Sequence, residues 1–221
     1  MLAVVGVIAV IVVLAVAIVF LSQNNPASNN PSTTPTPTAT PTTSSSIAPE
    51  VTPLTSPAGE YSANSKQVLF ETSMGNFIIQ LRDDKPITTS NFINLVTQGF
   101  YDGTIFHRVI EGFMIQGGYN QSTLASNIAD EIGTDNHNYL GTIAMANTGA
   151  ANSASSQFFI NTANNNNRYS SFDTSYTVFG TVIDGMDVVM AISEVDVQNN
   201  GYGEVSQPIQ TVTLISATVL N

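Results

Sequence analysis

The chain of 221 residues contains no cysteine and sets sixteen Asp and Glu against five Lys and Arg, for a net charge of −11. Without cysteine there is no disulfide, thiolate nucleophile or zinc–sulfur site. The acidic balance argues against a nucleic-acid partner, because nucleic acids are held by Lys and Arg that neutralise phosphates.

Residues 2–21 form an uninterrupted apolar run without a charge. At about 1.5 Å per residue the run can cross a ~30 Å hydrocarbon core, and it is expected to be an uncleaved transmembrane helix. A cleaved secretory signal is the alternative, although such signals usually carry only about 7–15 apolar residues behind a basic stretch. A buried core helix is the third reading. No Lys or Arg precedes the run, so the positive-inside rule assigns no orientation. Residues 22–65 turn abruptly to Ser, Thr, Pro, Asn and Ala. Almost nothing there offsets the entropy of ordering a backbone, so the segment reads as a disordered linker, with or without sugars. Residues 66–221 hold all five basic side chains and suit one compact domain.

That domain reads as short strands with two helices. Strands over 68–72 and 77–82 flank a turn, and Phe77, Ile79 and Leu81 alternate as a half-buried strand requires. Pro86 opens a helix, Phe92, Leu95 and Val96 mark its apolar stripe, and Gly99 ends it. Two short strands joined by a tight turn are predicted within 106–118, and further strands over 141–146, 157–161, 176–182 and 209–219. Between the last two, Met186, Val189, Met190 and Ile192 recur at helical spacing behind Asp184 as a cap. Runs of strands without β-α-β alternation indicate a mainly β domain, an antiparallel barrel or sandwich with capping helices.

The most informative segment is Phe106-His107-Arg108-Val109-Ile110-Glu111-Gly112-Phe113-Met114-Ile115-Gln116-Gly117-Gly118. It sets a guanidinium among large apolar side chains in a chain poor in cations, which points to an apolar pocket with a cationic donor at its edge. Two further blocks are Gly141-Thr142-Ile143-Ala144-Met145-Ala146 and Ser156-Gln157-Phe158-Phe159-Ile160-Asn161. With Asn91-Phe92 and Val178-Phe179-Gly180 in the same order, the chain resembles the cyclophilins, peptidyl-prolyl cis-trans isomerases, over 68–220. The resemblance implies a closed eight-stranded antiparallel β-barrel capped by two α-helices. It also implies a monomeric catalytic domain without cofactor or metal that acts on proline-containing polypeptides.

Rotation about a peptide bond costs about 18–20 kcal/mol because the nitrogen lone pair is delocalised. X–Pro bonds populate both isomers yet exchange over tens to hundreds of seconds. A catalyst needs only to stabilise the twisted amide, whose pyramidal nitrogen accepts a hydrogen bond better than the planar one. Arg108, permanently charged with several donors in one plane, suits that task. By resemblance Arg108, Phe113 and Gln116 form the catalytic set, Gln116 positioning the guanidinium and the substrate backbone. Phe113, Met114 and Phe159 match the floor and walls of the proline pocket, and Phe172 lies near a fourth wall position. Ala146 and Asn147 match a rim whose main chain bonds an extended peptide, with Gln157 beside it. Tyr176 stands where the better-known eukaryotic members have His and prokaryotic-type relatives often have an aromatic.

Taken singly, Phe159 and Met114 would be core side chains and Arg108 a salt-bridge residue. His107 reads as a packed, hydrogen-bonded structural histidine, and His137 as a loop residue. The chain has no Trp, whereas many eukaryotic cyclophilins carry one at the pocket rim. The matching place falls near Ser171, so cyclosporin is expected to bind weakly, with Tyr169 or Phe172 as substitutes. These departures suggest a prokaryotic-like member. Glu111 replaces a common Pro in a turn, with little consequence expected.

The expected function is acceleration of X–Pro isomerisation during folding of exported or surface proteins. The enzyme is expected at the cytoplasmic membrane, held by its N-terminal helix with the catalytic domain outside, or secreted if that segment is cleaved. The alternative is a non-catalytic proline-peptide-binding or chaperone module using the same groove. A hydrolase built on Ser153, Ser155 or Ser156 ranks last, since there is no G-x-S-x-G elbow and only two histidines. Asn120-Gln121-Ser122 is a glycosylation sequon.

Overall fold

The computed structural model of the chain describes residues 61–220, apart from 63 and 170. The apolar run at 2–21 and nearly all of the linker lie outside the described residues. β1 (Gln67–Thr72) and β2 (Gly75–Leu81) form the predicted hairpin, with Phe70 opposite Phe77 in register and their rings stacked 4.8 Å apart. α1 (Pro86–Thr97) starts on its proline, and the Glu131 carboxylate accepts from the orphan N–H groups of Ile87 and Thr88 at 3.1 and 2.8 Å. Its end is a Schellman motif. Gly99, at φ 66°, donates to Val96 O, and Phe100 donates to Leu95 O.

The chain then runs through β3 (Arg108–Ile110), β4 (Met114–Gly117), β5 (Thr142–Met145) and β6 (Phe158–Asn161). Two single-turn helices follow, α2 (Asn165–Arg168) and α3 (Phe172–Ser175), before β7 (Val178–Asp184) and α4 (Met186–Ser193). A short ribbon of β8 (Val197–Asn199) and β9 (Val205–Pro208) precedes the final strand, β10 (Leu214–Leu220). Eight strands make one curled antiparallel sheet in the order β10-β1-β2-β7-β5-β6-β4-β3. Its inner face packs Phe70, Phe77, Phe92, Tyr101, Phe106, Phe158 and Phe179 into a core of nearly inaccessible rings. The buried Tyr101 hydroxyl donates to Ser156 O at 3.0 Å.

Several expectations are corrected. The barrel is not closed by strand pairing, because the edge strands β3 and β10 share no ladder. β3 is only three residues long, and the chain before it meets 212–214 through one isolated bridge, Ile105–Thr213. The bonds Gly103 N–H to Leu214 O, Leu214 N–H to Thr104 O and Phe106 N–H to Val212 O span the seam. Helices number four among the described residues, α2 and α3 being one turn each. Gly185, not Asp184, is the N-cap of α4. Gly185 sits at φ 73°, and a Cβ there would run into the Asn76 carbonyl and Phe77, so that only glycine fits. The last strand starts five residues later than predicted, and the β8–β9 ribbon was not foreseen.

Candidate active site

The period of two along a strand divides this sheet into two chemistries. Val109, Ile115, Ile160 and Ile143 face one another across β3, β4, β6 and β5, and all are fully buried in the inner core. The row beside them points the other way. Arg108 lies opposite Gln116, Gln116 opposite Phe159, Phe159 opposite Ala144, and Ala144 opposite Val178. Residues scattered over 70 positions of sequence thus become neighbours on one outer face. That face carries a second buried apolar cluster of Phe113, Met114, Ala144, Phe159, Phe172 and Val178, with Ile110, Ala146 and Tyr176 packed at its margin.

Arg108 closes one end of this cluster, its side chain 15% exposed. Its Nε and Nη2 donate to the two carboxylate oxygens of Glu204 at 2.7 and 2.8 Å. Its Nη1 donates to Gln116 Oε1 at 3.3 Å and lies 3.9 Å from Met114 Sδ. The guanidinium carbon stands 5.8 Å from the centre of the Phe113 ring. Gln116 Nε2 donates onward to Gln157 Oε1 at 3.1 Å, so cation, Gln116 and Gln157 form one chain. The hydrogen bonds from Arg108 hold the Glu204 carboxyl below the usual carboxylate range. Burial raises the Tyr176 phenol, with Arg108 opposing it. His107 is pushed down to about 4, by burial first and by the Arg108 charge second, so it is neutral at physiological pH. Its Nδ1 is buried without a hydrogen-bond partner.

The aromatic wall is built by α3. Phe172 lies 5.6 Å from Phe113, 5.9 Å from Phe159 and 4.9 Å from Tyr176, ring centre to ring centre. Tyr169 stacks on Phe172 at 5.1 Å and also meets Phe113 at 5.3 Å. So short a helix does not hold itself in place. The Asp173 carboxylate accepts from Asn138 N–H at 2.7 Å and pairs with His137 Nδ1 at 2.9 Å, while Asn136 Nδ2 donates to the carbonyls of Asp173 and Tyr176. Phe113 is anchored through its carbonyl, which accepts from Thr162 N–H at 3.0 Å and Asn165 Nδ2 at 2.7 Å.

The structure gathers Arg108, Phe113, Met114, Gln116, Gln157, Phe159, Phe172 and Tyr176, with Ala146 at the margin. Asn147 is turned away. Its Nδ2 donates to Ser175 O at 2.7 Å, and its Oδ1 accepts from Gly149 N–H. Ala146 N–H is already bonded to Gln157 O. His107 is packed and bonded to the Ile105 backbone, with its Nδ1 left without a partner, and His137 lies in a loop, as read, from which it also helps hold α3. Glu204 was missed altogether, because nothing local marks an acidic residue 96 positions from its partner.

Residues 67–219 match the family model described as cyclophilin type peptidyl-prolyl cis-trans isomerase/CLD. Peptidyl-prolyl cis-trans isomerase A of Dickeya dadantii is 42% identical over 167 residues, covering 72% of this chain and 87% of its own. Peptidyl-prolyl cis-trans isomerase B of Escherichia coli is 41% identical over 162 residues, covering 69% and 98%. A crystal structure of a Cryptosporidium parvum cyclophilin type peptidyl-prolyl cis-trans isomerase superposes with a TM-score of 0.62 at 25% identity, over 71% of this chain and 98% of that one. A second structure of that protein, in the presence of the dipeptide Ala-Pro, gives 0.61 at 25% identity over 70% and 99%. The chain belongs to the cyclophilin-type peptidyl-prolyl cis-trans isomerases. It is an enzyme that isomerises X–Pro peptide bonds.

Proposed function

We propose that Arg108 is the donor that stabilises the twisted prolyl amide, and that the proline ring seats against Phe113, Met114, Phe159 and Phe172. The observation that carries this reading is the guanidinium fixed at the rim of an otherwise apolar cluster. Of its five N–H groups, Glu204 takes two and Gln116 one. The second N–H on Nη1 is directed at the Met114 sulfur, and the second one on Nη2 is left for a ligand. In a site with few competing dipoles, a donor aimed at the prolyl nitrogen interacts more strongly with the pyramidal transition state than with either planar isomer. No proton is transferred, and His107 takes no part. Gln116 and Gln157 hold the substrate backbone, and the Ala146–Asn147 rim receives it through its remaining main-chain groups.

The isomerase domain acts as a monomer on exported or surface proteins, carried by residues 1–21 at the outer face of the cytoplasmic membrane with residues 22–65 as its tether. The uncharged apolar run and the Ser/Thr/Pro composition support that placement. The bacterial relatives above 40% identity support the kinship with prokaryotic members. Cyclosporin binds weakly, the Tyr169–Phe172 pair standing in for a missing Trp. Protease shaving of intact cells, followed by blotting for the folded domain, tests the placement. Loss of the signal is expected, and its survival in unbroken cells contradicts an outer location. The purified full chain is expected to accelerate a proline-limited refolding reaction, and no acceleration contradicts the role in folding.

A further inference from the structure

Glu204 has no role in the mechanism above, yet it makes the two shortest contacts of Arg108. Both carboxylate oxygens are engaged along one edge of the guanidinium, a bidentate geometry that fixes its plane as well as its distance. The other restraints are looser: 3.3 Å to Gln116 Oε1, and 5.8 Å to the Phe113 ring centre. Glu204 is itself presented by a knitted turn at the end of the β8–β9 ribbon. Asn200 N–H donates to Glu204 O at 2.9 Å, and Asn200 Oδ1 accepts from the N–H groups of Tyr202 and Glu204 at 2.8 and 3.3 Å. β9 packs beside β3, so the ribbon reaches over to the strand that carries Arg108. With Glu204 on one edge, the remaining N–H groups of the guanidinium are aimed away from the ribbon. A long arginine side chain without that clamp would sample many rotamers and meet the prolyl nitrogen in only some of them.

We propose that Glu204 is a positioning residue, which orients the Arg108 guanidinium for donation to the prolyl nitrogen through the bidentate pair. The inference rests on Arg108 being that donor. It makes the β8–β9 ribbon part of the catalytic apparatus, although the ribbon lies outside the main sheet.

The test compares the full chain with Glu204→Gln, Glu204→Ala and Arg108→Ala, using an Ala-Pro peptide whose isomer exchange is followed by NMR. Glu204→Ala is expected to lower kcat about tenfold while KM stays within about twofold, since orientation and not ground-state contact is lost. Glu204→Gln keeps one acceptor oxygen and the side-chain volume, and should fall between Glu204→Ala and the unaltered chain. It also serves should the alanine variant fail to fold. The Arg108 Nε–H resonance should exchange with solvent faster in both variants than in the unaltered chain, a change that a purely structural role for the ribbon would not produce. An unchanged or raised kcat in Glu204→Gln, or a raised KM with kcat intact, overturns the proposal. If Arg108→Ala also keeps the unaltered kcat, the donor assignment itself has failed. If only Arg108→Ala loses activity, the failure belongs to Glu204 alone.

Discussion

Gln116 stands directly opposite Arg108 in the β3–β4 ladder, and its amide joins the guanidinium to Gln157. The carbonyl oxygen accepts from Arg108 Nη1, and the amide nitrogen donates to Gln157 Oε1. Gln116→Leu keeps the approximate size and removes both bonds. At about 1 kcal/mol for each net hydrogen bond, about 2 kcal/mol for the two, kcat/KM should fall about thirtyfold with folding intact. Steady-state kinetics on a proline peptide check this, and an unaltered kcat/KM would show that Gln116 only fills space.

Asn165 supports the pocket from behind. Its Nδ2 donates to Phe113 O and to Asn161 Oδ1, each at 2.7 Å, and the residue is wholly buried. Asn165→Ala should destabilise the domain by about 1–3 kcal/mol, because Asn161 Oδ1 loses its donor. Asn165→Asp should be worse at neutral pH, since it turns an acceptor against two oxygens. Urea unfolding of both variants measures the order, and an aspartate variant as stable as the parent would contradict the assigned amide orientation.

What the sequence discloses follows how local each signal is. α1 could be placed to within two residues because Pro86, the Phe92–Leu95–Val96 stripe and Gly99 all lie inside it, and the Schellman motif formed as the glycine required. The Glu131 carboxylate that caps it, 43 and 44 residues away, had no local mark. The site row of Arg108, Gln116 and Phe159 was legible through the family motif, and the strand register explains why those spacings recur. Strands β8 and β9 are short and half polar, and they exist by virtue of each other, so no pattern within either predicted them. Glu204 went unseen for the same reason. The closed barrel was an overstatement because the seam at β3 depends on how far a three-residue strand extends, which no periodicity encodes.

His107 gives the fold a pH dependence separate from that of its carboxylates. Burial holds its folded pKa at about 4, below the unfolded 6.5, so the unfolded chain binds the extra proton between those values. The stabilisation is complete above about pH 6.5 and is lost as pH falls towards 4, by on the order of 1–3 kcal/mol. Glu204 and Asp84, whose folded pKa values are depressed, add losses that start only near the ordinary carboxylate range. Unfolding free energies measured from pH 7.5 to 4 should decline in the parent and decline less in His107→Gln. Equal slopes would mean that His107 is not the group responsible.

The central claim concerns one donor and one nitrogen. NMR exchange spectroscopy on an Ala-Pro peptide with the full chain reads peptide affinity and the cis–trans rate in the same sample. Arg108→Ala should bind the peptide with little change and lose about 100-fold in catalysed exchange, as expected when one preorganised transition-state donor is removed. Exchange at the parental rate in Arg108→Ala would contradict the account.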